Sequence, residues 1–268
     1  MRPKPPLVFH ALTNIGLVRN ENQDAYGIFP SGTGGDGPTR GTLFVVADGM
    51  GGHRGGKVAS TLAVKTIADV YFSDPSESSQ VNLVNAIKAA NETVYSTGQR
   101  HPELSGMGTT CVAMAVKGPS VFVAHIGDSR AYGVTRESIL QLTEDHSAVA
   151  EMQRRGMLTA EEARTHPERS VLYRALGTNA STDVDVQPEH TVRGEEWFVL
   201  CTDGLSNMVE DSEIHELVVD GVPRQVCSRL IALANERGGN DNITVINHAP
   251  GNIFYEAIRS RNSHFQKV

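Results

Sequence analysis

The chain has 268 residues, of which 39% are hydrophobic and 21% charged, and this composition is typical of a folded globular protein. A chain of this length forms one large domain or two small ones and buries a sizeable core without needing disulfide bonds or a structural metal. Asp and Glu outnumber Lys and Arg by 31 to 24, and the net charge of −7 argues against a nucleic-acid binder with a broad cationic face.

The cysteines and the hydropathy pattern indicate the cellular compartment of the protein. Cys111, Cys201 and Cys227 are far apart and each lies among apolar neighbours, which favours buried reduced thiols over zinc binding or disulfides. The N-terminal stretch MRPKPPLVFHALT lacks the apolar core of a signal peptide, and no run approaches the roughly 18 apolar residues of a membrane span. We therefore predict a soluble, cytoplasmic protein with no membrane span.

The first third of the chain predicts two strands followed by two helices. After a short lead-in over residues 1–11, strands are expected at 24–29 and 42–48, with a Gly/Pro-rich loop between them. The second strand, TLFVVAD, is continuously apolar, as expected when both faces are covered. Apolar residues at helical spacing then predict helices over 57–72 and 79–100.

The rest of the chain alternates blocks of strands with blocks of helices. Four strand-like runs have short links that favour antiparallel pairing between neighbours: 109–116, 120–126, 129–134 and 138–142. A polar, partly helical segment at 146–180 precedes two more strands, two helices and a last strand, at 183–187, 196–202, 211–219, 222–237 and 242–248. This order predicts an α+β fold with largely antiparallel sheets.

Five aspartates stand at the ends of predicted strands beside glycine or polar residues. They are Asp24 in RNENQDAYG, Asp48 in VVADGMGG, Asp128 in VFVAHIGDSR, Asp203 in WFVLCTDG and Asp241 in GGNDNITVI. Each alone is explained by a helix cap or an Asx-turn. A shared divalent cation explains all five, because a lone buried carboxylate costs several kcal/mol. Spacing alone does not show that the five converge.

Eight motifs occur in an order that resembles the protein phosphatase 2C family, the metal-dependent serine/threonine phosphatases, in its compact bacterial form. They span roughly residues 12–248: VRNENQDAYG, LFVVADGMGGHRGG, GTTCVAMAV, VAHIGDSRAYG, LTEDHS, LYRALG, LCTDGLSNMV and GGNDNITVI. The resemblance implies a four-layer αββα sandwich, in which helix pairs flank two antiparallel sheets. It also implies one catalytic domain over residues 1–250, with a flap at 146–180 and a C-terminal tail at 251–268.

The resemblance also implies a centre of two Mn²⁺ or Mg²⁺ ions with a third, weaker site. In this sequence Asp48 and the Gly49 carbonyl correspond to ligands of the pair, and Asp203 and Asp241 complete it. Asp128 corresponds to a ligand of the third ion together with Asp203, and Asp24 to a residue that acts through metal-bound water. Arg19 corresponds to the residue that binds the substrate phosphate, for which its planar fork is suited.

This centre would hydrolyse phosphoserine and phosphothreonine in phosphoproteins. Two cations about 3.5–4 Å apart share and acidify a water that attacks phosphorus, so no cysteine or serine nucleophile is required. The expected partners are phosphoprotein substrates and a cognate serine/threonine kinase that the enzyme opposes, and the protein is expected to be a monomer. Two alternatives remain open, a metal-dependent phosphoesterase for small molecules and a non-catalytic regulatory module on the same fold.

Some positions depart from the family pattern. Met50 stands where eukaryotic-type members have a histidine, so the general acid is either metal-bound water or His53, and a solvent-facing His53 is the simpler interpretation. Lys57 stands where the family often has Glu. In LTEDHS we expect Asp145 and His146 to hold the base of the flap rather than to react. The flap arginines, at positions 154, 155, 164, 169 and 174, are either contacts for phosphopeptides or parts of a solvated face.

Overall fold

The computed structural model describes residues 8–31, 40–51, 54–74, 76, 78–192, 194–219 and 221–250. Two antiparallel sheets lie face to face, and helices cover the outer face of each. The candidate acid His53 and the tail at 251–268 lie outside the described residues. Within the described part of the chain, no helix has the length and apolar character needed to cross a membrane.

The first sheet has five strands. In spatial order they are β1 (Val8–Asn14), β12 (Ile243–Ala249), β11 (Trp197–Cys201), β7 (Arg130–Val134) and β8 (Ile139–Gln141). All four pairings are antiparallel. The strand β1 was missed by the sequence prediction, which treated residues 1–11 as a lead-in, because its side chains are half-buried and do not alternate cleanly.

The second sheet has seven strands. Its main path is β10 (His190–Thr191), β6 (Ser120–Ile126), β5 (Cys111–Lys117), β3 (Thr42–Met50) and β2 (Asp24–Pro30), while β4 (Gly108–Thr109) pairs with β3 and β9 (Asp185–Val186) pairs with β6. The strand predicted at 183–187 is thus reduced to two residues, and the equally short β10 follows it.

Seven α-helices and one short 3₁₀ helix (Pro102–Leu104) complete the described structure. The α-helices are α1 (Gly55–Ser73), α2 (Ser79–Arg100), α3 (Ala148–Arg154), α4 (Ala160–Thr165), α5 (Asp203–Ser206), α6 (Asp211–Val218) and α7 (Pro223–Glu236). The pair α1 and α2 covers the second sheet, and α6 and α7 cover the first. The short helices α3 and α4 lie within residues 146–180, the segment predicted to be partly helical and to form the flap. The four-layer arrangement of the prediction is confirmed.

The strand β3 shows why the sandwich forms. Its residues Leu43 and Val45 pack in the core shared with α1 and α2, whereas Phe44 and Val46 pack between the sheets. Successive side chains of a strand point to opposite faces, so a continuously apolar strand is stable only with cover on both sides. The apolar run that precedes Asp48 therefore holds it at a rigid, buried edge.

One sequence prediction was wrong in a way that matters for the site. The runs that became β6 and β7 were expected to pair because only a short link joins them. Instead β6 belongs to the second sheet and β7 to the first, and Gly127, Asp128 and Ser129 carry the chain from one sheet to the other. Gly127 has φ +102°, a left-handed conformation that glycine adopts without strain. The crossing places Asp128 at the edge where both sheets end.

Candidate metal centre

The five strand-end aspartates meet at one edge of the sandwich. Asp24 and Asp48 are directly opposite each other in the register of β2 and β3. Asp203 follows the end of β11, Asp241 precedes β12, and Asp128 lies in the crossing between the sheets. Both sheets therefore contribute carboxylates to the same place, which the spacing in the sequence could not establish.

The carboxylates of this cluster oppose one another's ionisation. Loss of hydration raises the pKa of Asp48 well above its usual value, and the charges of Asp24, Asp203, Asp128 and Asp241 raise it further. Burial also raises the pKa of Asp128, and the charge of Asp203 raises it further. Burial likewise raises the pKa of Asp203, and the charge of Asp241 adds to this effect. A cluster of like charges of this kind is unfavourable unless a counter-ion is present.

Asp24 is held in a fixed orientation by two threonine hydroxyls. Thr244 Oγ1 donates to Asp24 Oδ2 at 2.6 Å, and Thr202 Oγ1 donates to the same oxygen at 2.9 Å. Burial nevertheless raises the pKa of Asp24 to about 7, because it outweighs these two hydrogen bonds. The other oxygen, Oδ1, is buried and has no hydrogen-bond partner among the described residues.

The backbone around Asp48 is fixed by hydroxyls from the crossing and from the neighbouring GTT motif. The Asp48 amide donates to Thr110 Oγ1 at 2.9 Å, and Thr109 Oγ1 donates to the Asp48 carbonyl at 2.8 Å. Thr110 Oγ1 in turn lies 2.7 Å from Ser129 Oγ, which belongs to the GDSR motif. The position of Asp48 thus depends on the second sheet and, through Thr110, on the crossing between the sheets.

Glycine is required beside two of the aspartates for steric reasons. A Cβ on Gly49 would overlap the carbonyl oxygen of Gly56 at the start of α1, and a Cβ on Gly204 would overlap the carbonyl oxygen of Asn242. These close approaches bring the residues that follow Asp48 and Asp203 against neighbouring backbone and leave no room for a side chain.

Arg19 lies at the same edge, in the loop between β1 and β2. Its Nη2 donates to Asp241 Oδ2 at 2.7 Å, and the side chain is 55% exposed. This hydrogen bond raises the arginine pKa, as do the charges of Asp48 and Asp203. The loop itself is held by Asn242, whose Nδ2 donates to the carbonyls of Ile15 and Glu21 at 2.9 and 3.0 Å.

The donor set fits hard divalent cations. Oxygen ligands from several carboxylates are what Mg²⁺ and Mn²⁺ bind, and the cluster has carboxylates in excess of nearby cationic side chains. Asp203 supplies a second orphaned atom: Oδ1 is buried without a hydrogen-bond partner in the described structure, while Asn207 Nδ2 donates to Oδ2 at 3.0 Å. Two buried carboxylate oxygens with unused acceptor capacity in one acidic cluster are explained by bound cations.

A second group of potential ligands lies at the base of the flap. Ligand atoms of His125, His146 and Asp185 lie within 4.8 Å of one another. His146 Nδ1 accepts from the Gly127 amide at 3.0 Å, so its Nε2 carries the proton and donates to Asp185 at 3.1 Å, and Arg174 pairs with the same carboxylate at 2.5 Å. Hydrogen bonds and an ion pair already satisfy His146 and Asp185, and burial lowers the pKa of both histidines. These contacts support the structural role expected for His146.

A family model described as Protein phosphatase 2C matches residues 19–237. The chain belongs to the protein phosphatase 2C family. It is 36% identical over 241 residues to the serine/threonine phosphatase stp of Listeria innocua, an alignment that covers 87% of this chain and 92% of that protein.

Solved structures of this family confirm the fold. The Staphylococcus aureus serine/threonine phosphatase Stp1 has a TM-score of 0.81 at 35% identity, with 93% of this chain and 97% of that one covered. The catalytic domain of the serine/threonine protein phosphatase PstP, solved in complex with two manganese ions, has a TM-score of 0.78 at 32% identity, with 91% and 97% covered.

The structure adds residues that the sequence analysis did not single out. Thr202, Thr244, Thr110, Ser129 and Asn242 all position the predicted site residues, and all lie within or next to the family motifs. Their positions within the motifs were the only sign in the sequence that they belong to the site. The role of a hydroxyl or amide side chain can be assigned only when its hydrogen-bond partner is known.

Lys57, one of the departures from the family pattern, has a structural contact at this edge. Its Nζ donates to the backbone carbonyl of Asp24 at 2.8 Å, so it supports the chain that carries the carboxylate.

Proposed function

We propose that this protein is a metal-dependent protein phosphatase that hydrolyses phosphoserine and phosphothreonine in phosphoproteins. The observation that carries the proposal is the convergence of the five strand-end aspartates and Arg19 at one edge of a protein phosphatase 2C fold. Relatives named serine/threonine phosphatases, matched over most of their length, support the same activity.

The metal ligands in this proposal are those predicted from the sequence. Asp48, the Gly49 carbonyl, Asp203 and Asp241 would hold two Mn²⁺ or Mg²⁺ ions, and Asp128 with Asp203 would hold a third. Asp24 would act through water. When bound, such ions lower the pKa of a coordinated water to near neutrality and stabilise charge on the phosphoryl group.

The chain's own residues supply binding and orientation. Arg19 is half-exposed and lies beside Asp241, so its guanidinium is available to two oxygens of an incoming phosphoryl group. Thr202 and Thr244 keep one oxygen of Asp24 occupied and leave the other free to face the cluster. Their two hydrogen bonds fix the orientation of that carboxyl group before a substrate binds.

A cysteine nucleophile is inconsistent with the structure. Cys111, Cys201 and Cys227 are all buried. Burial raises the pKa of the Cys201 and Cys227 thiols to about 12, and that of Cys111 further still. A thiol with such a pKa is protonated at neutral pH and is a poor nucleophile. Catalysis by a water molecule agrees with this.

The biological setting follows from the activity. The opposing enzyme would be a serine/threonine kinase that phosphorylates the same proteins. The kinase, the monomeric state and the cytoplasmic location stay predictions, as do the boundaries of the single catalytic domain at 1–250. The identity of the general acid, metal-bound water or His53, also stays a prediction.

The test uses Asp48→Asn, with Asp69→Asn on the exposed face of α1 as the matched control. Hydrolysis of p-nitrophenyl phosphate and of phosphothreonine peptides is measured with Mn²⁺, with Mg²⁺ and with chelator, and folding is checked by circular dichroism. Asp48→Asn should lose at least about 100-fold in kcat/KM, since metal-assisted stabilisation contributes several kcal/mol, while Asp69→Asn keeps full activity.

Full activity of Asp48→Asn, or of the wild type in chelator, would overturn the mechanism. Hydrolysis of small phosphate esters without any hydrolysis of phosphopeptides would instead favour the small-molecule phosphoesterase.

A further inference from the structure

We infer that His146 is a positioning residue for the third cation, because its ring and its backbone fix the residue that precedes Asp128. This role goes beyond the one expected for His146 at the base of the flap. The inference rests on the proposed function, which assigns Asp128 as a ligand of that ion.

The direction of the Asp128 carboxylate is set by the backbone that carries it. The side chain is buried, and among the described residues no other side chain donates a hydrogen bond to its carboxylate. Asp128 also lies in the crossing between the sheets, outside both β6 and β7. The groups that fix the residues on either side of Asp128 therefore decide where its oxygens lie.

Gly127, the residue before Asp128, is held by His146 through two hydrogen bonds. The Gly127 amide donates to His146 Nδ1 at 3.0 Å, and the His146 amide donates to the Gly127 carbonyl at 3.0 Å. A Cβ on Gly127 would lie 2.6 Å from Thr110 Cγ2, so the glycine is also tightly packed. Both polar groups of Gly127 are thus bonded to the same residue, and this fixes the peptide groups that lead into Asp128.

The surroundings of the His146 ring make its Nδ1 a hydrogen-bond acceptor. Its Nε2 lies 3.1 Å from Asp185 Oδ2, so the proton on Nε2 has a carboxylate partner and Nδ1 keeps its lone pair for Gly127. The ring is 1% exposed and stacks on His125 with the ring centroids 5.0 Å apart. Burial lowers the pKa of His146, which keeps the ring neutral at neutral pH. A charged ring could not accept this bond, because both of its nitrogens would carry a proton.

The chain segments of the GDSR and LTEDHS motifs are joined at further points. Arg130 Nη2 donates to Asp145 Oδ2 at 2.8 Å, and the Ala131 amide donates to Thr143 Oγ1 at 3.2 Å. These contacts hold the residues that follow Asp128. The contact from His146 holds the residue before it, and so the two segments fix the chain on both sides of the carboxylate.

The experiment separates the two ring nitrogens of His146 with two variants. In His146→Asn the side-chain oxygen takes the place of Nδ1 and can accept from Gly127, but the side chain is too short to reach Asp185. In His146→Gln the side-chain amide takes the place of Nε2 and can donate to Asp185, but Gly127 loses its acceptor. Asp128→Asn is the reference for loss of the third-ion ligand, and circular dichroism checks the folding of all three variants.

Mn²⁺ binding is measured by electron paramagnetic resonance of the free ion, and hydrogen exchange is followed by mass spectrometry in Mg²⁺. Asp128→Asn should lose the weakest Mn²⁺ ion. His146→Gln should bind that ion at least about tenfold more weakly, the usual effect of losing an outer-shell hydrogen bond, whereas His146→Asn should bind it like the wild type. Exchange should become faster in the peptide that spans residues 127–129 in His146→Gln, and in the flap in His146→Asn.

The wild type provides a test that needs no variant. A proton–nitrogen correlation spectrum of the Mg²⁺-loaded protein should show His146 protonated at Nε2, and a proton on Nδ1 would overturn the inference. Equal affinity for the weakest ion in His146→Gln and the wild type, or equal losses in both histidine variants, would also overturn it. A weakest ion that survives Asp128→Asn would instead overturn the ligand set of the proposed function, and this inference with it.

Discussion

The hydroxyl of Thr244 is expected to set the metal affinity of the centre although it contacts no predicted metal site directly. Thr244→Val removes the 2.6 Å hydrogen bond to Asp24 Oδ2 and leaves only the longer one from Thr202. The side-chain volume stays nearly the same, so the surrounding sheet should keep its packing.

The size of the effect follows from this contact. A hydrogen bond to a charged group contributes about 1.5–3 kcal/mol, which corresponds to about 10- to 100-fold in affinity. Removing an outer-shell hydrogen bond around a metal site typically costs a factor of about the same size. The pKa of Asp24, already raised to about 7 by burial, should also rise further, because one of the two hydrogen bonds that lower it is lost. A protonated Asp24 would accept hydrogen bonds from metal-bound water less well at neutral pH, which would weaken metal binding.

The measurement is Mn²⁺ binding by isothermal titration calorimetry, together with the Mn²⁺ concentration that gives half-maximal phosphatase activity. Both should shift by about tenfold or more in Thr244→Val. Thr244→Ser, which keeps the hydroxyl, should bind Mn²⁺ like the wild type. Unchanged Mn²⁺ affinity in the valine variant, or equal losses in both variants, would refute the argument that this hydroxyl acts through Asp24.

Two further predictions concern groups outside the metal centre. Burial between the sheets lowers the pKa of His248 to about 4, below its unfolded value of 6.5. The folded protein should therefore lose about 3 kcal/mol of stability as the pH falls from about 6.5 to about 4. Urea unfolding of His248→Leu should lack this part of the pH dependence, and an unchanged slope would count against it. Asp185→Asn removes the carboxylate that pairs with both Arg174 and His146, so hydrogen exchange should accelerate across the flap and not in β5. Asp183→Asn, an exposed neighbour, is the control, and equal exchange in both variants would contradict the prediction.

The sequence predicted the parts of the site that depend on a single strand. Asp48 was identified because the continuously apolar run before it has to be a buried strand, and Asp203 for a similar reason. The ordered motifs then supplied the family, which the structure and the relatives confirm. These features are local or depend on motif order, and so they are readable from the chain.

Contacts between distant residues were not readable in this way. The link between β6 and β7 is short enough for a hairpin, and only the packing of the two sheets makes it a crossing. Thr202 and Thr244 reach Asp24 across 178 and 220 residues of sequence. The flap arginines look alike in the sequence, and only the structure shows the acidic partners of four of them.

Two flap residues, His146 at its start and Arg174 near its end, both contact the carboxylate of Asp185. The backbone adds a second connection at the same place, where the Tyr173 amide donates to the His146 carbonyl at 3.0 Å. The residues between these two positions therefore form a segment whose two ends are held together at one place. Changes of sequence within this segment should therefore leave the aspartates at the sheet edge in place.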